Sequence, residues 1–253
     1  MNSVRSGPGV ACSATLRSRL KDAGRVVVFT GAGISVESGV PTFRGDEGLW
    51  KKFKPEELAN IDAFMRNPEL VWQWYQHRRE VISSVKPNAG HYAIAAMDAR
   101  YPSCVVVTQN IDNLHRRAGS RTVHELHGNI ERDFCMECRT PAAPGEIAGQ
   151  AGSPRCTACG GLVRPDVVWL GEMLPEEDWN AGVAAAEQAD LFFAVGTSSV
   201  VYPAATLPTI ARRAGAYLVE VNIERTDLSP TADEVLLGKA GEILPALLAL
   251  VEH

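Results

Sequence analysis

Four nearly unbroken apolar runs punctuate the chain, Val26 to Phe29, Cys104 to Val107, Leu191 to Val195 and Tyr217 to Val221. Each stops at a turn of glycine or polar residues. Runs without strict polar alternation suit strands covered on both faces. Around them, apolar residues recur at helical spacing over Thr15 to Ala23, Ala89 to Ala99, Glu176 to Gln188, Ala204 to Ala214 and Ile243 to Val251. This alternation predicts an α/β fold, a doubly wound parallel Rossmann-like sheet. Two stretches interrupt it: Asp46 to Lys86 is helical and aromatic, and Val123 to Leu170 carries most of the cysteines. They predict a smaller domain built of a helical insert and a second insert, about 46–86 and 123–170. The larger domain then takes about 14–45, 87–122 and 171–253.

The turns that close the four runs carry the candidate chemistry: Thr30-Gly31-Ala32-Gly33, Thr108-Gln109-Asn110-Ile111-Asp112, Gly196-Thr197-Ser198 and Asn222-Ile223-Glu224. Ligands of open α/β sheets bind at these carboxyl ends, so the four loops predict a cofactor crevice. Gly31 and Gly33 resemble the start of a dinucleotide fingerprint, in which main-chain N–H groups approach a pyrophosphate. The fingerprint is incomplete. Its third glycine would fall at Val36, and Lys51, Lys52 and Lys54 stand where a ribose-binding acid belongs.

Composition narrows the choice of partners. The chain has 253 residues with 25 basic against 30 acidic, a net charge of −5, and no basic block of the kind that grips nucleic acid. No apolar run reaches membrane-spanning length, and Met1 to Ser13, rich in small residues, lacks the apolar core of a signal peptide. The expectation is a disordered start and a cytoplasmic protein that binds neither nucleic acid nor membrane. Four of the six cysteines form Cys135-x-x-Cys138 and Cys156-x-x-Cys159, with 17 residues between the pairs. That spacing favours tetrahedral Zn²⁺ over disulfides, and four protein thiolates leave no open position, so the ion is expected to be structural. Gly160 and Gly161 supply permissive backbone beside the second pair. Cys104 reads as a core residue and Cys12 lies outside the quartet.

Asn67 to Val85 predicts a helix with Asn67 as N-cap and Pro68 at its first position. Its apolar stripe runs through Val71, Trp74, Tyr75, Val81, Ile82 and Val85. Helical spacing puts Arg78 in that stripe and Arg79 elsewhere. An inward arginine needs an anionic partner, either an acid of the protein or a carboxylate of a ligand that Tyr75, one turn away, could share.

Taken together, GAGISVESGVPTFRG, TQNIDNLH, HELHG, the paired Cys-x-x-Cys, GTSSVVYP and VNIE occur in the order of the sirtuin family, and the resemblance spans nearly the whole chain. It implies an NAD-dependent protein-lysine deacylase that consumes NAD and carries one structural zinc. Its partners would be acylated-lysine proteins or peptides. By resemblance His127 is the catalytic base, acting on a ribose hydroxyl, while Asn110 and Asp112 hold the nicotinamide carboxamide and position the ribose. The same resemblance puts Gly31, Ala32, Gly33, Glu37, Thr42, Phe43, Arg44 and Trp50 on NAD, with Gln109, Ile111, Gly196, Thr197 and Ser198. Asn222, Ile223, Glu224 and Ala240 match the adenosine end. Val168 and Trp169 would line the lysine tunnel. Tyr75-x-x-Arg78 resembles the pair that marks class III members, including bacterial ones, which take succinyl-, malonyl- or glutaryl-lysine. Asp46 departs from the small residue of wide-pocket members. His77, His91, His115 and His124 read as structural histidines. ADP-ribosyl transfer to protein and hydride transfer stay open as other uses of the same cofactor.

Overall fold

The computed structural model describes residues 10–41, 55–150 and 152–251. Helix α1 (Ala14–Asp22) starts where the Ser13 hydroxyl accepts from the Leu16 N–H at 3.0 Å, and it leads into β1 (Arg25–Thr30). After a 3-10 helix over Ala32–Ser38 come α2 (Pro55–Leu58), α3 (Ile61–Arg66) and α4 (Pro68–Ser84). The Asn67 side chain caps α4 and Pro68 opens it. The chain continues through α5 (Ala89–Arg100), β2 (Ser103–Thr108), α6 (Leu114–Ala118), β3 (Val123–Glu125), β4 (Gly128–Cys135), α7 (Pro144–Ile147) and β5 (Val163–Val167). It ends with α8 (Glu176–Gln188), β6 (Leu191–Val195), α9 (Leu207–Arg213), β7 (Tyr217–Asn222), β8 (Glu234–Leu237) and α10 (Ala240–Ala249).

Six strands form one parallel sheet in the order β3-β2-β1-β6-β7-β8. The chain winds outward from β1 in one direction and then from β6 in the other, so the strand order reverses between β1 and β6. Successive side chains of β1 go to opposite faces. Val26 and Val28 join the cluster with Leu16, Ile94 and Leu244 of α1, α5 and α10, whereas Val27 and Phe29 join Ala186 and Leu207 of α8 and α9. Two such buried faces are why β1 carries no polar alternation. A separate antiparallel pair, β4 and β5, carries the cysteine module.

Several boundaries differ from the sequence reading. Val123–Glu125 pairs with β2 in the large sheet, so the second insert begins after Glu125 and not at Val123. β8 was not foreseen because it is short and opens on an acid. The segment expected as one helix over Ala204 to Ala214 is a 3-10 turn, Ala204–Thr206, followed by α9, because Pro208 lacks an N–H and fits only a first helical turn. Helix α10 begins at Ala240, ahead of Ile243. At the start of the chain, Val10 and Cys12 pack against the core, so the expected disorder does not extend over them. No helix among the described residues is long and apolar enough to cross a membrane.

Candidate active site

The loops after β1, β2, β6 and β7 are bonded to one another at the switch in strand order. Gly31 N–H donates to the Val195 carbonyl at 3.0 Å and Gly33 N–H to the Gly196 carbonyl at 2.8 Å. A Cβ on Gly33 would stand 2.7 Å from the Gly196 oxygen, and one on Gly196 would stand 2.4 Å from the Ile34 nitrogen. These glycines are therefore required by the close approach of two loops. That corrects the expectation that the Gly31 and Gly33 N–H groups are kept for a pyrophosphate. Gln109 Nε2 donates to Thr197 Oγ1 at 2.9 Å, and Asn222 Nδ2 donates to the Thr197 carbonyl at 3.0 Å. Ser198, Ile223 and Glu224 are exposed beside this floor, and Ala240 is buried at the start of α10. Glu37 accepts from the Gly241 N–H at 2.8 Å, which ties the 3-10 helix to α10. Thr42, Phe43, Arg44, Asp46 and Trp50 lie outside the described residues.

Beneath the loops lies a buried polar cluster that the sequence reading did not assemble. Ser35 donates to Asp112 Oδ2 at 2.6 Å and accepts from Asn110 Nδ2 at 3.2 Å. Asn110 Nδ2 also reaches the Gly31 carbonyl at 3.1 Å, and Asp112 Oδ1 accepts the Leu114 N–H at 2.9 Å. Asp112 thus holds the first N–H of α6 while facing Ser35. Burial raises its pKa, and the Ser35 and Leu114 hydrogen bonds pull it back down. The His91 and His115 rings pack against each other at a tilt of 57°, with centres 4.9 Å apart. His91 Nδ1 accepts the Asn88 N–H at 3.3 Å, so Nε2 carries the proton toward Ser35. His115 Nε2 lies 2.9 Å from Thr30 Oγ1, whose own proton goes to Thr108. In the sequence His91 and His115 read only as structural histidines, and nothing local links them to Ser35.

Burial pushes His91 down to about 4 from its ordinary 6.5, and His115 is lowered by burial and by His91. Between those values the unfolded chain binds the proton and the native state does not. Stability is therefore complete above the unfolded pKa and is lost as pH falls through that window. Through His91 alone, stability read from thermal melts should fall by about 2 kcal/mol between about pH 7 and about pH 5, and His91→Gln should flatten the slope. An unchanged slope in the variant would assign the loss to other groups.

His127 follows β3 and is half-buried. Its Nδ1 lies 2.9 Å from the Gln109 carbonyl, which can only accept, so Nδ1 carries the hydrogen and Nε2 keeps its lone pair. Burial lowers the His127 pKa and the Gln109 contact partly restores it, which keeps the ring neutral at physiological pH. His124, on β3, instead pairs with Asp178 at 3.1 Å. The Val168 N–H donates to the His127 carbonyl at 2.9 Å, joining the expected substrate segment to His127.

On α4, Tyr75 is buried and Arg78 is half-buried with its guanidinium 5.1 Å from the Trp74 ring centre. Arg79 points elsewhere, donating to the Ile130 carbonyl at 2.6 Å and pairing with Asp133. Trp169 is buried, and its indole N–H donates to the Tyr75 oxygen at 2.9 Å.

In the cysteine module, Sγ atoms of Cys135 and Cys159 lie 3.4 Å apart, those of Cys138 and Cys156 lie 3.7 Å apart, and all four fall within 4.8 Å of one another. Zn–S bonds of about 2.3 Å in a tetrahedron require thiolates about 3.8 Å apart, so the set fits one zinc and excludes disulfides. Each knuckle turns through a left-handed residue, Arg139 at φ 60° and Gly160 at φ 78°. The loop between the knuckles contains the short helix α7.

A doubly wound sheet whose interlocked loops face a neutral histidine, with a four-thiolate module at its side, defines an NAD-binding protein carrying a structural zinc. Residues 31–203 match the Sir2 family. An NAD-dependent protein deacylase 2 of Pyrobaculum aerophilum is 54% identical over 227 residues, spanning 90% of this chain and 91% of that one. The NAD-dependent protein deacylase of Methylococcus capsulatus is 45% identical over 241 residues, 92% of this chain and 94% of that one. A solved Sir2 homolog–NAD complex superposes with TM-score 0.91 at 41% identity, covering 98% of this chain and 96% of that chain. A Sir2 complex with p53 peptide and NAD⁺ gives TM-score 0.84 at 33% identity, covering 93% and 97%. The chain belongs to the Sir2 family.

Proposed function

We propose that this chain, an NAD-dependent protein deacylase by its family, removes acyl groups from protein lysines and prefers those ending in a carboxylate. Succinyl, malonyl and glutaryl groups are the preferred class, with acetyl also accepted. The observation that carries the preference is Tyr75 and Arg78, one turn apart on one side of α4. The Arg78 charge acts on the Tyr75 hydroxyl, although burial dominates and lifts its pKa to about 12. A phenol that keeps its proton beside a guanidinium suits an acceptor-only carboxylate.

NAD is the co-substrate; it supplies the electrophilic ribose carbon and, with one water consumed, carries the acyl group away as O-acyl-ADP-ribose, leaving nicotinamide and free lysine as the other products. His127 Nε2 takes the proton of a ribose hydroxyl, and Asp112 and Asn110 hold the ribose and the carboxamide. The glycine loop, Gln109 to Asp112, Gly196 to Ser198 and Asn222 to Glu224 bind the rest of the nucleotide. Val168 and Trp169 flank the substrate lysine. Mass spectrometry of acetyl-, succinyl- and malonyl-lysine peptides incubated with NAD and enzyme tests the whole reading. Acyl loss matched by nicotinamide release, faster on the acidic acyl groups, is expected. Equal or slower turnover of those groups would remove the preference, and nicotinamide release with peptide mass gain would indicate ADP-ribosyl transfer.

A further inference from the structure

We propose that Trp169 sets acyl selectivity by making Tyr75 a one-way hydrogen-bond donor, and that the Arg164–Glu172 ion pair holds Trp169 in the pose that does so. The inference rests on the carboxylate reading of the acyl pocket and adds its positioning residues.

An indole N–H can donate but not accept, whereas a phenol does both. Trp169 Nε1 lies 2.9 Å from the Tyr75 oxygen, so the phenol is the acceptor in that contact and its own proton must point elsewhere. A carboxylate only accepts, and the methyl end of an acetyl group does neither. The ordered pair therefore offers a donated proton that rewards an anionic acyl terminus alone. Donors aligned head to tail also polarise one another.

Such an effect needs an indole that cannot rotate. Arg164, on β5, has its side chain 4% exposed and both terminal nitrogens on Glu172, at 2.5 and 2.9 Å. One of them also donates to the Val167 carbonyl at 2.7 Å. The guanidinium carbon stacks 3.3 Å from the centre of the Trp169 ring, and Phe64 packs on the indole with ring centres 5.1 Å apart. Glu172 Oε2 accepts the main-chain N–H of Trp169 at 2.7 Å. Backbone bonds from Val168 to His127 and from Leu170 to Ala59, at 2.9 and 3.0 Å, pin the segment on either side. The fork of arginine on carboxylate and the flat stack are both lost with lysine.

The test is the ratio of kcat/KM for succinyl- over acetyl-lysine peptides, measured on the full-length zinc-loaded enzyme. Trp169→Phe should lower the ratio about tenfold, since one buried hydrogen bond is at stake. Tyr75→Phe should lower it at least as far, and the double variant should fall no lower than Tyr75→Phe alone. Arg164→Lys should move the ratio in the same direction. A role limited to packing would lower both peptides together, so an unchanged ratio in Trp169→Phe overturns the proposal, as would multiplying effects in the double variant. Arg78→Met separates the two layers. If that variant also leaves the ratio unchanged, the carboxylate reading falls and takes this inference with it. If Arg78→Met collapses the ratio and Trp169→Phe does not, only the positioning role is wrong.

Discussion

His127→Ala should lower kcat on every acyl-lysine peptide by about 10²- to 10⁴-fold, the range expected when the proposed general base is removed. The imidazole is held in one tautomer by the Gln109 carbonyl, with Nε2 left unprotonated. No other described group near it can replace that function: Asp112 is engaged by Ser35 and Leu114, and His124 is paired with Asp178. The loss should be uniform across acetyl, succinyl and malonyl substrates, because the proposed role of His127 is on the nucleotide and not on the acyl terminus. Because burial lowers the His127 pKa, the acid limb of the wild-type pH profile should lie below 6.5, with activity falling as the ring protonates. Zinc content should be retained, since the four thiolates form their own cluster. Zinc loss in this variant would make the residue structural and sink the assignment.

Arg78→Met should reduce the succinyl-to-acetyl ratio of kcat/KM by roughly 10²-fold, because the proposed charge-assisted contact to the acyl carboxylate would disappear. The next residue provides the contrast. Arg79 pairs with Asp133, whose side chain is only 4% exposed, and it also holds the Ile130 carbonyl. Removing it strands a buried carboxylate, at a cost of about 3–5 kcal/mol. Arg79→Met should therefore lower the melting temperature and depress both activities without moving the ratio. A ratio that follows Arg79 instead of Arg78 would place selectivity on the wrong face of α4.

Much of this was readable from the chain because the signals were local. The β1 run, the Asn67 cap with Pro68 and the two cysteine knuckles each depend on neighbours within a few residues. The short β3 and β8 strands carried no such signal, since what makes them strands is an open sheet edge to pair with. The glycines were legible as special positions, yet the reason differs: they let the loops after β1 and β6 touch, a contact between residues far apart in sequence. Ser35, His91 and His115 were individually unremarkable, and only the crossing of the 3-10 helix, α5 and α6 brings them into one buried cluster.

By itself the sequence determined the parallel α/β plan, the tetrahedral thiolate site and the helix that carries Tyr75 and Arg78. Periodicity, capping and ligand spacing are properties of contiguous chain. The tertiary structure decided which groups are neutral, which are paired and which way each proton points. The base state of His127 depends on a carbonyl from another strand end, the buried pKa of His91 on the shell around it, and the donor direction of Tyr75 on an indole 94 residues away. Those are electrostatic and desolvation effects, which depend on distance in space and have no trace in spacing along the chain.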